Sequence, residues 1–405
     1  MSTSARLMAD AIDGLADSEQ RKVKPPVLVV ATEWFAENGG LSVFNQWFCG
    51  WLSKNGFDVW CYVPHVDEVA RSHAKENRGC SLVSPRGEGF KQLQYLHRDA
   101  QLLAQPDLPP GIEPRVIFGH DRTTGIHARL LREKHFTTAK LAQVIHMHPE
   151  DSQKYRPDRE GGEQKKAAQV CCVDGADLIL GVGPKLKEHA ENLARNAAPR
   201  VFMVVPDASI LGRAPGNMEK VPFGYVNFTG RLEDSEQKGL TLLGNAWKKL
   251  KTKRLSHPKP QIVVRGTHTS EAKELDKLFG EKAICRHHGI SGDWRTTDLE
   301  EADLAVMPSR GEGFGLVALE AVYCNTPVLL NGDSGFAQLV EASWPACPAI
   351  VKDPTPKEWC IAMERVLRDP TKHFAQAIEL RTKLQDYLAI EQIESKALAA
   401  INALL

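Results

Sequence analysis

The chain has 405 residues, enough for two or three domains with full-sized cores, and its 51 Lys+Arg balance 51 Asp+Glu. That balance argues against nucleic acid or an anionic membrane as the defining partner, and 42% hydrophobic with 25% charged residues describes an ordinary globular chain. No apolar run approaches the roughly 20 residues of a membrane-spanning helix.

Residues 1–26, "MSTSARLMADAIDGLADSEQRKVKPP", read as a polar, flexible leader without the apolar stretch of a signal peptide. The nine cysteines are an odd number, and no CxxC or Cys/His ligand spacing occurs. They read as reduced core thiols in a cytoplasmic protein.

From Val27 strands and helices alternate. "VLVVA" is a buried strand, "GGLSVFNQWFCGWLSKNG" an amphipathic helix closed by glycine, and "DVWCYVP" the next strand. "RVIFGH", "LAQVIHMH", "DLILGVG" and "VFMVVP" follow as strands, with helices through "GIHARLLREKH" and "PKLKEHAENLARN". This first α/β domain is expected over 27–206. A Gly/Pro-rich linker at 207–221 precedes a second alternation over 222–372. Residues 373–405 read as an amphipathic helical segment, with a return to the first domain left open. Two doubly wound, Rossmann-like α/β domains facing across a cleft are the predicted fold class. Ligands in such sheets bind beyond the carboxyl ends of the strands, so the loops there are the place to look.

Four loops carry polar or glycine-rich content. After the first strand, Gly39 and Gly40 open a helix; this suits close approach to a phosphate or sugar, and equally a plain glycine turn. His120, His146 and His148 all fall at strand ends, and alternation in "VIHMH" sets His146 and His148 on one face. A lone histidine there is usually structural; three in neighbouring loops point to a site, and no carboxylate or cysteine set accompanies them to favour a metal. In "GRLEDSEQKGL", Arg231 and Lys238 bracket an acidic loop, either a solvated charge run or two cations for a diphosphate. In "PSRGEGFGLVALEA", Gly313, Phe314, Gly315 and Leu316 lead from a strand into a helix, with Glu312 before and Glu320 within it. A helix N-terminus offers N–H groups and a positive dipole end to an anion, and flanking carboxylates suit hydroxyls. A tight turn with two surface glutamates is the plain alternative.

The order "GG", "HMH", "GRLEDSEQKG", "PSRGEGFGLVALEA" resembles the retaining glycosyltransferases of family four, with the two-domain GT-B fold. Glu312 and Glu320 match that family's pair of glutamates eight positions apart. The resemblance runs from about Val27 to Leu388 and is tightest in the C-terminal half. It implies a nucleoside diphosphate-sugar donor (UDP-, GDP- or ADP-sugar) as substrate, no resident cofactor and no metal. Arg231 and Lys238 would hold and neutralise the departing diphosphate. Phe314, Gly315 and Leu316 would offer N–H groups beside Gly313, Glu320 would bind ribose, and Glu312 and His148 would meet the transferred sugar. Gly40 would lie where donor meets acceptor, with Gly39 and His120 on the acceptor side.

"PDAS" at Pro206–Ser209 replaces the family's P-N-G-V-D. The resemblance would place Arg265 near the nucleotide, where a G-x-G turn is common; Asn325 replaces a frequent glycine, and Gln338 a frequent glutamate. The resemblance implies a hexosyltransferase working by metal-independent front-face transfer. The alternatives are a catalytically silent nucleotide-sugar-binding protein, or an epimerase or phosphorylase of the same fold. An oxidoreductase is disfavoured because no G-x-G-x-x-G follows the first strand. The partners expected are the donor and a hydroxyl acceptor, without nucleic acid. Peripheral membrane contact through a patch such as "NQWFCGWLSK" stays open beside its reading as a core helix, and oligomeric state is not legible.

Overall fold

The computed structural model describes residues 24–35, 40–87, 101–155, 161–194, 200–212, 221–253, 255, 260–286 and 293–405. The first sheet holds β1 (Pro26–Val30), β2 (Asp58–Tyr62), β3 (Ser81–Val83), β4 (Val116–His120), β5 (Lys140–Ile145), β6 (Leu178–Val182) and β7 (Arg200–Val204). Their order is β3-β2-β1-β4-β5-β6-β7. The second holds β8 (Tyr225–Thr229), β9 (Gln261–Arg265), β10 (Ile284–Arg286), β11 (Leu304–Met307), β12 (Val328–Asn331) and β13 (Ile350–Val351), ordered β10-β9-β8-β11-β12-β13. The pairings within both sheets are parallel, with β1 registering Val27 against Val59 of β2 and Val116 of β4. Runs such as "VLVV" are buried without alternation because helices cover both faces. β3 and β13, three and two residues long, are too short to show a sequence period.

Each sheet reverses its order once, between β1 and β4 and between β8 and β11. Those are the points where an open parallel sheet leaves a crevice at its carboxyl edge. All four candidate loops arise on strands at or beside these two reversals. One apolar cluster runs from Val27, Phe48 and Leu186 in the first half through Phe314, Ala318 and Tyr323 in the second to Leu384 and Ile401 near the C-terminus. The helix Ile393–Asn402 packs on β7 and β6, and Glu394 accepts a hydrogen bond from Trp51 Nε1 at 2.8 Å.

The segment raised as a membrane patch is a core helix: ten of the 15 residues of Gly40–Lys54 are buried. Among the described residues no helix is long and apolar enough to cross a membrane. All nine cysteines are free thiols, and seven are buried. Asn325, which stands where the resemblance expects glycine, has φ +57 just past the helix Leu316–Tyr323. Asparagine tolerates this left-handed helix end, so the turn survives the exchange.

Candidate active site

In the C-terminal half, β8 runs into Gly230, Arg231 and a short 3-10 turn, and Gly239 then caps the helix Leu240–Leu250. β11 runs into Pro308 and the glycine loop, and Gly315 caps the helix Leu316–Tyr323. The first N–H groups of that helix have no partner within it and face the loop end. The two loops meet at Lys238 Nζ, which donates to Glu312 Oε2 at 2.8 Å, and at the Arg310 N–H, which donates to the Gln237 carbonyl at 2.7 Å. Both side chains are partly exposed, at 30% and 21%. Burial alone would push the Glu312 carboxyl up; the charge and hydrogen bond of Lys238, with Lys185 and Ser309, outweigh it and hold the group below its ordinary value. Arg231 donates to Asp234 of its own loop at 2.9 Å and stays 41% exposed. Glu320, one turn into its helix, is 2% exposed.

The N-terminal half closes onto this loop. A Cβ on Gly311 (φ +61) would overlap the Asp151 carbonyl, and one on Gly183, after β6, would overlap the Phe314 ring. A Cβ on Gly313 would lie 2.9 Å from the His146 carbonyl, and one on Gly40 3.3 Å from Leu316 Cδ1. At Gly311, Gly183 and Gly313 only glycine permits so close an approach. Lys185, at the start of the helix Pro184–Leu193, binds Asp151 Oδ2 at 3.1 Å in its own half, and in the other half the Asp333 carbonyl at 2.8 Å and Oδ1 at 3.5 Å.

Behind this seam lie the histidines. His120 is 1% exposed and bonds Asn45 Oδ1 at 3.1 Å through Nε2 and His146 Nε2 at 3.0 Å through Nδ1. Burial pushes His120 down to about 3 and His146 well below its ordinary value, so both rings are neutral at pH 7. His148 is half-buried and packs on His189 with the ring centroids 4.0 Å apart and the planes tilted by 30°, and burial lowers its pKa too. The seam therefore sets a glycine-lined loop carrying the ion pairs Lys238–Glu312 and Arg231–Asp234 against the half-buried His148, an arrangement suited to an anion joined to a polyhydroxylated group.

A model of the family 4 glycosyltransferases in conflict systems matches residues 28–392. The chain belongs to that family. It is similar to the D-inositol 3-phosphate glycosyltransferase of Corynebacterium jeikeium, 28% identical over 235 residues, which are 52% of this chain and 54% of that protein. A relative in Jonesia denitrificans with the same name is 28% identical over 189 residues, 42% of this chain and 44% of its own. The chain thus spans about half the length of the curated relatives it matches. Among solved structures it is similar to sucrose-phosphate synthase from Thermosynechococcus elongatus, with TM-score 0.63 and 18% identity over 93% of this chain and all of that one. An Anabaena protein solved in complex with UDP and glucose gives TM-score 0.64 and 14% identity, with 93% of this chain and all of that one covered. At such identities the likeness establishes the GT-B fold.

The structure of this family 4 glycosyltransferase brings Lys238 and Glu312 together, and sets Phe314 and Leu316 at the seam with the other half. Arg231 turns to Asp234, and Gly39 lies outside the described residues. Three expectations change. His120 does not reach the cleft surface as an acceptor-facing residue; it is buried as a bridge from Asn45 to His146. His146 and His148 do not share a strand face, because β5 ends at Ile145 and the two rings part, one to His120 and one to His189. Arg265 is 4% exposed and pairs with Asp298, which also binds Arg286, so its charge is spent inside the second domain. Sequence reasoning missed Lys185, Asp333, Gln169 and His189. The one available signal was the i, i+4 spacing of Lys185 and His189 on a helix that starts at a strand end.

Proposed function

We propose that this glycosyltransferase moves a sugar from a UDP-, GDP- or ADP-sugar to an acceptor hydroxyl, retaining the anomeric configuration, without a metal ion. The Lys238–Glu312 contact carries this reading, because it sets a group for the diphosphate against a group for the sugar at the mouth of a helix N-terminus. Bound donor would take both partners: Lys238 and Arg231 onto phosphate oxygens, Glu312 onto sugar hydroxyls, the N–H groups of Phe314 to Leu316 onto phosphate, and Glu320 onto ribose. Negative charge grows on the diphosphate as its bond to the anomeric carbon breaks, and preorganised cations stabilise that state beyond the ground state. The acceptor oxygen bonds the anomeric carbon on the face the diphosphate leaves, and its proton passes to the departing phosphate oxygen. His148 borders the sugar.

Double displacement would need a free carboxylate nucleophile. Glu150 and Asp151, the nearest carboxylates in the histidine loop, are held by Lys166 at 2.9 Å and by Lys154 and Lys185 at 2.7 and 3.1 Å. That supports front-face transfer. The first sheet (27–206) would serve the acceptor, 207–221 the crossing, 222–372 the donor, and 373–405 the return to the first half. The free thiols fit action in a reducing cytoplasm.

Proton NMR of the anomeric region during turnover of UDP-, GDP- and ADP-glucose in excess EDTA tests this directly. The expected product keeps the donor's anomeric configuration at a rate EDTA leaves unchanged. An inverted anomer, or activity lost in EDTA and restored by manganese, overturns it.

A further inference from the structure

A buried polar chain lies behind His148 that the reaction above leaves unused. It begins at Asp121, 2% exposed, which opens the helix Asp121–His135 with φ +50. A non-glycine residue in that region costs about 1–3 kcal/mol unless its surroundings hold it there. Here four hydrogen bonds do so. Asp121 Oδ1 accepts from the Arg122 N–H and from Gln169 Nε2, both at 2.7 Å, and Oδ2 from the His146 and Met147 N–H groups at 3.2 and 3.1 Å.

Gln169 is fully buried in the helix Gly161–Val173, and its Nε2 also donates to the Met147 carbonyl at 2.9 Å. A carbonyl oxygen accepts and cannot donate, so the amide has one orientation, with Oε1 turned to His189 Nε2 at 2.9 Å. His189 must then carry its proton on Nε2. Its ring is thereby fixed in plane and tautomer, and His148 lies on that ring at 4.0 Å and 30°. His148 Nδ1 is itself buried without a hydrogen-bond partner among the described residues, so no bond through that nitrogen sets the ring. The ring that His148 packs on is His189.

We propose that His189 is a positioning residue for His148, aimed by the Asp121–Gln169 chain. The proposal rests on the reading that His148 meets the donor sugar. The same helix carries Lys185 one turn earlier, so one element sets both the seam between the halves and the imidazole beside it.

Nitrogen-15 imidazole spectra of the full chain at pH 7.5 test this without substrate, with His148→Gln and His189→Ala assigning the two signals. His189 should show a protonated Nε2 and a bare Nδ1, and Gln169→Leu should average the two forms. His189→Ala should move the His148 signals, and His189→Phe, which keeps a flat ring, should return them toward the wild type. Should Gln169→Leu fail to fold, Gln169→Met, which keeps the side chain's length and removes its amide, should average the two forms in its place. In turnover of whichever of UDP-, GDP- or ADP-glucose the wild type uses, His189→Ala should lower kcat by up to about 10²-fold, the scale of a 1 Å misplacement, with KM little changed. His189→Phe should recover much of it. A His189 protonated on Nδ1, His148 signals unmoved by His189→Ala, or an undiminished kcat would each overturn the proposal. A wild type inert toward all three donors would count against the sugar-transfer reading, and the spectra would still decide the His189 chain.

Discussion

The two halves of this protein build their shares of the cleft by opposite electrostatic means. The C-terminal half places charges on loops directly after the reversal strands β8 and β11 and leaves them partly exposed, the cation Lys238 holding the anion Glu312 ready. The N-terminal half holds neutral imidazoles, tying His120, His146 and His189 with hydrogen bonds and resting His148 on the His189 ring. A half-exposed ion pair is easily redirected to a charged ligand, since its two members lose little when they part. A buried neutral ring cannot be redirected, and its use is to hold shape. The comparison thus separates residues that answer the ligand's charge from residues that set its position.

Removing a cation from the first class should have the largest effect. Lys238→Ala should lower donor turnover by roughly 10²–10³-fold, the cost of losing one preorganised charge-assisted contact, and weaken donor binding less. Arg231→Ala should follow with a smaller loss, because Arg231 starts paired to Asp234 and more exposed. Single-turnover kinetics with a separate dissociation constant would show it. Wild-type turnover in both folded variants would break the comparison.

Acid should act on the second class. His120, pushed down to about 3, and His189, pushed down to about 4, stay neutral while folded but take up protons below about 6.5 once unfolded. The unfolded state therefore binds more protons, and stability that is full above pH 6.5 is lost as pH falls toward 4. For His120 alone the loss should be about 3 kcal/mol by pH 4. The carboxylates act later: Asp151, lowered to about 2, gives up its share only as pH falls from 3.8, and Glu312 only below 4.5. Urea unfolding between pH 7 and 4.8 should show falling stability, less steep in His120→Asn. A flat profile would contradict the buried, neutral assignment.

The smallest effect sharpens where the halves join. Lys185→Met should cost about 1 kcal/mol, since Asp151 and Asp333 are themselves partly solvated, and should raise the radius of gyration in X-ray scattering. An unchanged radius would mean that the apolar cluster alone holds the seam.

Legibility in the sequence divides along the same line. In the C-terminal half the glycines, Glu312 and Glu320 stand within one short stretch, and Lys238 sits at a helix start, so local pattern was enough to mark them. The contact between Lys238 and Glu312 spans 74 positions and is created by β8 and β11 lying side by side. In the N-terminal half His120, His146 and His148 were visible as residues, but their neighbours were not. Which ring bridges to Asn45 and which rests on His189 depends on where β5 stops and how the helices Gly161–Val173 and Pro184–Leu193 pack, and no period encodes that. Arg265 failed for a related reason: its partner Asp298 lies 33 positions away on a helix that the alternation did not reveal.

The proposed reaction requires a nucleoside diphosphate seated on the glycine loop, with Glu320 on its ribose and Glu312 turned to the sugar. Calorimetric titration of UDP, GDP and ADP into the wild type, Glu320→Ala and Glu312→Ala measures this without any acceptor. One of the three nucleotides should bind the wild type, Glu320→Ala should weaken that binding by at least about tenfold, the 1.4 kcal/mol of one lost hydrogen bond, and Glu312→Ala should leave it nearly intact. Binding of none of the three, or equal losses in both variants, would contradict it.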